Sequence, residues 1–439
     1  MPRVRLLLFL ALLGWPHPAC GQPAPDLDEF GGLVGQRRAA TGFFRVTKAE
    51  GRWWLVDPNG YLFLSTGVNG VSLRREERES PYREAALDRY RGEEAWARAA
   101  VGRLRGWGFN TVGAGSDAVV REQRIAFTIS LNCSRALRMA ERQFFPDVFD
   151  PDYERAVRRQ VARACRPYAD NRWLLGYFTD EELDWGGEHS QALMGQFLGL
   201  ADDAAGRQAL LRFLEERYLN IAELNDAWAT SYESFGEIGR TPQAGHHIPQ
   251  VDVDGFTQLV AGQYLRIASE AIRRVDRYHL ILGPWFEGEA PLPVLAAAGD
   301  YLSVITLASH GGKPSPEHLR QVQRAASSPA LICDFAVSVG GGPASRRYVD
   351  CASSEEERAE LYADRVRELM ALPMVIGYHW RSYVDEQAPA GRGSCGLVGL
   401  DDEPHERLAA AATRINSGIY QLLERAAGKA GGAAGAREE

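Results

Sequence analysis

Eight apolar runs of strand length, most of them followed by a longer helical pattern, constrain this chain more than any other feature of it. They fall at residues 61–69, 109–113, 125–131, 173–182, 279–286, 301–306, 330–335 and 374–380. Several are continuously apolar rather than alternating, as strands of a parallel sheet covered on both faces are. Helical patterns over 93–105, 151–165, 354–371 and 403–424 accompany them, and 190–277 reads as a long helical insertion after the fourth run. Eight βα units are the number that closes a (β/α)₈ barrel, whose active site lies at the C-terminal ends of its strands. An open doubly wound sheet is the rival, but no Gly-x-Gly-x-x-Gly follows the first run, so its nucleotide-binding version lacks the fingerprint. A hairpin signal introduces the series: apolar arms at 43–46, 53–56 and 61–64, with Asp57-Pro58-Asn59-Gly60 as the turn before the last of them. The expected architecture is an α/β (β/α)₈ TIM barrel with an N-terminal hairpin and a helical insertion after strand 4.

The chain begins with Arg3 and Arg5 ahead of an apolar stretch over 6–13, broken at Trp15-Pro16 and followed by small residues to Gly21. That is the pattern of a secretory signal peptide over 1–21, too short to span a membrane. A Pro-, Gly- and Ala-rich linker is expected over 22–41, the barrel over 42–425, and a disordered Ala/Gly/Glu tail over 426–439. The mature chain is expected to be secreted or periplasmic, without a membrane span. Its formal net charge of −8 offers no basic footprint for nucleic acid. The five cysteines beyond residue 21 are not spaced as metal ligands, and no cofactor or metal is expected.

Chemistry concentrates where the runs end. The fourth passes from Trp173-Leu174-Leu175-Gly176-Tyr177-Phe178 into Asp180, Glu181 and Glu182, with Trp185 close behind. Carboxylates at such a rim lose solvent, which raises a pKa in the way a general acid needs; the plainer reading is a strand meeting water. The other ends carry Asn69, Trp285 with Glu287, His310, Asp334, and His379 with Trp380. Two carboxylates across a cleft lined by indoles is the constellation for glycoside cleavage. A serine nucleophile would want a Gly-x-Ser-x-Gly elbow, and none is present.

The residues also resemble a known family. Phe44-Arg45-Val46, Gly51-Arg52-Trp53-Trp54-Leu55-Val56-Asp57-Pro58, Ser65-Thr66-Gly67-Val68-Asn69, Gly176-Tyr177-Phe178-Thr179-Asp180-Glu181-Glu182-Leu183, Leu224-Asn225-Asp226-Ala227-Trp228 and Gly377-Tyr378-His379-Trp380 are similar to stretches of the barrel of family 50 β-agarases. These are retaining glycoside hydrolases with the acid/base after strand 4 and the nucleophile on strand 7. The resemblance implies Glu182 as acid/base and Asp334 as nucleophile. Glu181 stands where the family has an Asn that contacts the sugar 2-hydroxyl, and Asp334 stands where it has a Glu. The His that follows the family's nucleophile is Ala336 here. Substrate contacts are expected from Asn69, Glu181, Trp185, Trp285, His310, His379 and Trp380. The expected function is a secreted, agarase-like hydrolase of β-linked oligo- or polysaccharides. The alternative is a catalytically silent carbohydrate-binding barrel, because Asp replaces Glu on strand 7.

Overall fold

The computed structural model describes residues 25–74, 81–139, 143–181, 183–185, 191–240, 247–287, 290–309, 316–340, 350–385 and 394–424. The signal-peptide region and the tail from 426 lie outside them. Four N-terminal strands, β1 (Leu33–Arg37), β2 (Arg45–Ala49), β3 (Arg52–Val56) and β4 (Tyr61–Phe63), form an antiparallel sheet in the order β1-β4-β3-β2. The expected hairpin is the β3–β4 pair. Within the stretch read as a linker, Leu33–Arg37 instead forms a strand. It pairs with β4, whose outer edge would otherwise expose unpaired backbone groups.

The main sheet is parallel. It joins β5 (Ser65–Val68), β6 (Thr111–Val112), β7 (Ala126–Ser130), β8 (Leu174–Phe178), β9 (Leu280–Gly283), β10 (Trp285–Glu287), β11 (Ile305–Ala308), β12 (Ala330–Phe335) and β15 (Val375–Trp380). Its order runs from β10 through β15 and β5 to β9, so its two ends are consecutive in the chain and separated by Pro284 alone. β9 and β10 are therefore one bent stave, and the ring is an eight-stave barrel, as expected. The bend has a local cause. Gly283 adopts φ +77°, open to a residue without Cβ, and Pro284 has no N–H to give a ladder. The Thr306 hydroxyl, on the adjoining stave, bonds the carbonyls of Leu282 at 3.1 Å and Pro284 at 2.7 Å. A short parallel pair, β13 (Val337–Val339) and β14 (Asp350–Ala352), follows β12.

Strand alternation sorts the apolar residues into two layers. Leu175, Phe178, Leu280, Leu282, Leu331, Cys333 and Ile376 pack inside the barrel together with Phe30, Phe44 and Phe63. The N-terminal sheet thus plugs the end where the strands begin, held by Arg52, which donates to the carbonyls of Met370 and Val375 at 2.8 and 2.9 Å. The larger outer layer faces the helices. Those are α1 (Pro81–Tyr90), α2 (Glu93–Gly106), α3 (Ala118–Arg121), α4 (Pro151–Cys165), α5 (Gln191–Leu198), α6 (Ala205–Arg217), α7 (Ile221–Trp228), α8 (Gln250–Arg273), α9 (Leu292–Ala298), α10 (Pro316–Ala326), α11 (Glu355–Met370) and α12 (Glu406–Ser417). α5 to α8 are the expected insertion between the fourth and fifth staves. Two N-caps explain sharp helix starts: Asp150 accepts the Asp152 N–H at 2.7 Å, and Ser354 accepts the Glu357 N–H at 3.2 Å ahead of three glutamates in the first turn.

One buried charge ties α1 and α2 to the loop before α12. Asp402 is fully buried at φ +63° and accepts hydrogen bonds from Tyr82, Tyr90, Arg89 and Arg103, at 3.1, 2.9, 3.2 and 2.9 Å. No helix among the described residues is long and apolar enough to cross a membrane.

Candidate active site

At the end of β8 Asp180 and Glu181 part company. Asp180 is 2% exposed and points away from the mouth. It accepts the Ser134 N–H at 3.0 Å, the Ser134 hydroxyl at 2.6 Å and the Tyr264 hydroxyl, which bolts β8 to the loop after β7 and to α8. Burial pushes its pKa up to about 6. This desolvated acid is thus a structural one. Glu181 turns the other way and takes a hydrogen bond from the Ser130 hydroxyl at the end of β7. Glu182 lies outside the described residues, as does His310.

Across the barrel, Asp334 is 4% exposed near the end of β12. Arg381, one residue beyond β15, grips its carboxylate. Nε and Nη2 reach Oδ2 at 3.1 and 2.9 Å, and Nε reaches Oδ1 at 3.3 Å. The Arg381 N–H also donates to the Phe335 carbonyl at 2.9 Å, so the guanidinium is anchored at its root. This is a charge-assisted pair with its orientation fixed by two strands. Arg381 was not singled out in the sequence; its position directly after Trp380, at the end of the last stave, was the signal available.

Asn69 closes the same corner. Its backbone N–H donates to the Trp380 carbonyl at 2.8 Å, and its side-chain Nδ2 donates to the Cys333 carbonyl at 2.8 Å. The end of β5 is therefore stapled to both β15 and β12, one residue from Asp334. His379 lies inside the barrel, fully buried, with Nε2 2.9 Å from the Ser65 hydroxyl. Gly67 and Gly113 make room for its ring: a Cβ on Gly67 would sit 2.3 Å from its Cδ2, and one on Gly113 3.0 Å from its Nδ1. Burial pulls the His379 pKa from 6.5 down to about 3, against the opposing pull of Asp334. The unfolded ring takes a proton near 6.5 and the folded ring refuses it until about 3. Stability is therefore full above the first value and is lost as pH falls toward the second. Urea melts across that window should show a loss on the order of a few kcal/mol, and His379→Gln should flatten the slope.

Two indoles expected in the pocket pack elsewhere. Trp380 points outward from β15, fully buried, with its rings edge-on to Phe335 at 5.2 Å and Tyr362 at 5.5 Å and the Arg358 guanidinium over it at 5.7 Å. Its indole N–H donates to the Cys395 carbonyl at 2.8 Å. His379 takes the inward position, and alternation along the strand sends the next residue to the helix layer. Trp185 is 4% exposed and packs T-shaped on Tyr264 at 5.9 Å and against Phe145 at 5.0 Å. It buttresses the tyrosine that holds Asp180 and offers no open face. Trp285 does lie in the inner layer, edge-on to Phe178 at 5.5 Å.

The inner wall also carries unspent hydrogen-bonding capacity. Asn69 Oδ1, Thr128 Oγ1, Trp285 Nε1 and His379 Nδ1 are buried without a hydrogen-bond partner. They include acceptors and a donor, a mixture suited to a polyhydroxylated ligand. Among the described residues, no grouping of three His, Cys, Asp or Glu could hold a metal ion.

Comparison with known proteins fits this arrangement. The β-galactosidase model of glycoside hydrolase family 42 matches residues 134–342, which contain the ends of both β8 and β12. β-Agarase B of Vibrio sp. (strain JT0107) is 22% identical over 485 residues, covering 91% of this chain and 50% of the relative. A crystal structure of the agarase AgWH50C superposes with a TM-score of 0.79 at 21% identity, covering 91% of this chain and 68% of that one. The chain resembles the family 50 β-agarases. β-Agarase A of the same Vibrio strain is 24% identical over 85% of this chain and 45% of its own length. The chain thus spans about half the length of the curated relatives it matches. At this level of identity the structural likeness is one of fold. The agarase-like (β/α)₈ barrel accounts for the eight staves and for the placement of the charged groups at their C-terminal ends.

Proposed function

We propose that this agarase-like chain hydrolyses β-glycosidic bonds by a retaining two-carboxylate mechanism, with Glu182 as acid/base and Asp334 as nucleophile. The observation that carries the reading is the Asp334 carboxylate, nearly buried at the end of the seventh stave and oriented by Arg381. In the first step Glu182 gives its proton to the glycosidic oxygen, that C–O bond breaks, and an Asp334 oxygen bonds to the anomeric carbon. In the second, Glu182 takes a proton from water, whose oxygen displaces Asp334 and restores both groups. Asp reaches about 1.5 Å less far than Glu. The Arg381 clamp and the Asn69 staple supply the fixed placement that a shortened nucleophile requires, since a misplacement of about 1 Å costs roughly 10²-fold. The names of the relatives, β-agarase and β-galactosidase, make β-linked galactans the first substrates to try. We also assign export to the signal-like segment at the N-terminus.

The leaving-group dependence tests Glu182. Glu182→Gln should lower kcat/KM on a natural glycan or an alkyl glycoside by about 10²–10⁴-fold and far less on an aryl glycoside whose phenolate leaves unaided, because kcat/KM reports the first step and not the water step that also uses Glu182. Equal losses on both would remove Glu182 from the acid role. The same shortened, arginine-paired carboxylate also favours a second reading, a barrel that binds sugar without cleaving it. Binding by calorimetry with no product on any glycan would establish it.

A further inference from the structure

Two of the unpartnered atoms on the inner wall belong together. The Asn69 amide is oriented by its Nδ2 bond to Cys333, which leaves Oδ1 as an acceptor. The His379 tautomer is fixed by a chain of hydroxyls. Asn110 Nδ2 donates to the Leu64 carbonyl, so its Oδ1 accepts the Thr111 hydroxyl at 2.9 Å. Thr111 Oγ1 in turn accepts the Ser65 hydroxyl at 2.9 Å. The only Ser65 proton is thereby used, and the contact to His379 requires Nε2–H as donor. Nδ1 is left as a bare lone pair, and the buried ring stays neutral. Asn69 Oδ1 and His379 Nδ1 lie close together beside Gly113: a Cβ there would be 1.9 Å from the first and 3.0 Å from the second. Both side chains are more than nine-tenths buried, both atoms lack a partner, and both are acceptors. A buried acceptor left unmet costs free energy that a donor recovers.

We infer that Asn69 Oδ1 and His379 Nδ1 form one seat for a pair of hydroxyl donors, and that it selects a substrate sugar with two free, adjacent hydroxyls. The inference rests on the proposed glycosidase reading and adds a specificity to it. A vicinal diol presents two O–H groups side by side, one for each acceptor. The seat adjoins the proposed nucleophile, because Asn69 bonds the carbonyl of the residue before Asp334 and the Asp334 charge reaches the His379 ring. The sugar whose anomeric carbon Asp334 attacks is the one placed to fill it. A ring in which either hydroxyl is methylated, or locked in an internal ether, has no proton to offer. The selection is against modified sugars as well as for plain ones.

The test pairs substrate analogues with a spectroscopic probe. Aryl β-galactosides, intact or singly deoxygenated at each ring hydroxyl, are compared on the unaltered protein and on Asn69→Ala and His379→Phe, neither of which has a side-chain acceptor. Two adjacent deoxygenations should each lower kcat/KM by roughly 10²-fold on the unaltered protein and by far less on the variant lacking the matching acceptor. Histidine ¹⁵N spectra of the unaltered protein need no variant. They should show His379 as the Nε2–H tautomer, with the Nδ1 resonance moving when galactose or an unreactive galactoside binds and staying put with the deoxy analogue. Uniform tolerance of deoxygenation, or an Nδ1 resonance indifferent to sugar because a retained water already fills the seat, would overturn the inference. If the protein turns over no glycoside, the enzyme reading fails, and the ¹⁵N shift on sugar binding still decides the seat.

Discussion

Asp334→Asn is expected to lower kcat on a cleavable β-glycoside by at least about 10³-fold while leaving KM within a few-fold. The amide matches the carboxylate in size but cannot form and release a glycosyl ester. The substitution also ends the ion pair with Arg381. That side chain is 21% exposed and rehydrates, so the stability cost should be about 1–3 kcal/mol rather than that of a fully buried orphan charge. Thermal melts separate the two effects: a folded protein with a modest shift and almost no turnover is the expected result. Asp334→Gly with azide is the companion measurement. Azide entering the vacated face should yield the glycosyl azide of inverted, α configuration. Turnover of Asp334→Asn within tenfold of the unaltered protein would mean that another acid attacks the sugar, with Glu287, the last residue of the bent stave, the first to examine.

The largest stability effect is expected far from the mouth, at Asp402. Its carboxylate is fully buried and serves two tyrosines and two arginines from α1 and α2. Removing it with Asp402→Ala takes the carboxylate from Arg103 and from the Tyr82 and Tyr90 hydroxyls, while Arg89 keeps its pair with Glu403, a loss of about 3–5 kcal/mol. It also places a Cβ residue without a local hydrogen-bonding side chain at φ +63°. Asp402→Asn should cost less, because Asn tolerates that backbone and keeps one acceptor. Calorimetric Tm values should therefore fall in the order unaltered, Asn, Ala. Specific activity of the folded fraction should be unchanged in both. Equal Tm for Asn and Ala would show that the backbone conformation contributes nothing.

The barrel was legible in the sequence because each stave is a short apolar run that cannot face water on either side, and because the runs number eight. What escaped was local. Pro284 hides a bend within one stave, and its repair by the Thr306 hydroxyl depends on a neighbouring strand that the sequence does not reveal. Leu33–Arg37 lies among glycines and arginines, and its pairing with β4 creates the strand. The site was legible as a set of strand ends and not as a set of directions. Inward and outward positions alternate, and bulges reset the count, as at Ile332 on β12 against β15. That is why Trp380 points into the helix layer while His379 faces the lumen. The acids at 180–182 read alike as letters, yet Asp180 is taken by Ser134 and Tyr264 from elements far off in sequence. Arg381 could be paired with Asp334 only once β12 and β15 were adjacent.

The most direct test of the two-carboxylate account is the anomeric configuration of the first product formed from a β-linked galactan oligosaccharide, followed by ¹H NMR before mutarotation. The account predicts the β anomer first, with its formation abolished in Asp334→Asn. The α anomer first would mean that Asp334 activates water instead of attacking carbon, and β-anomer formation that survives Asp334→Asn would remove it from the reaction.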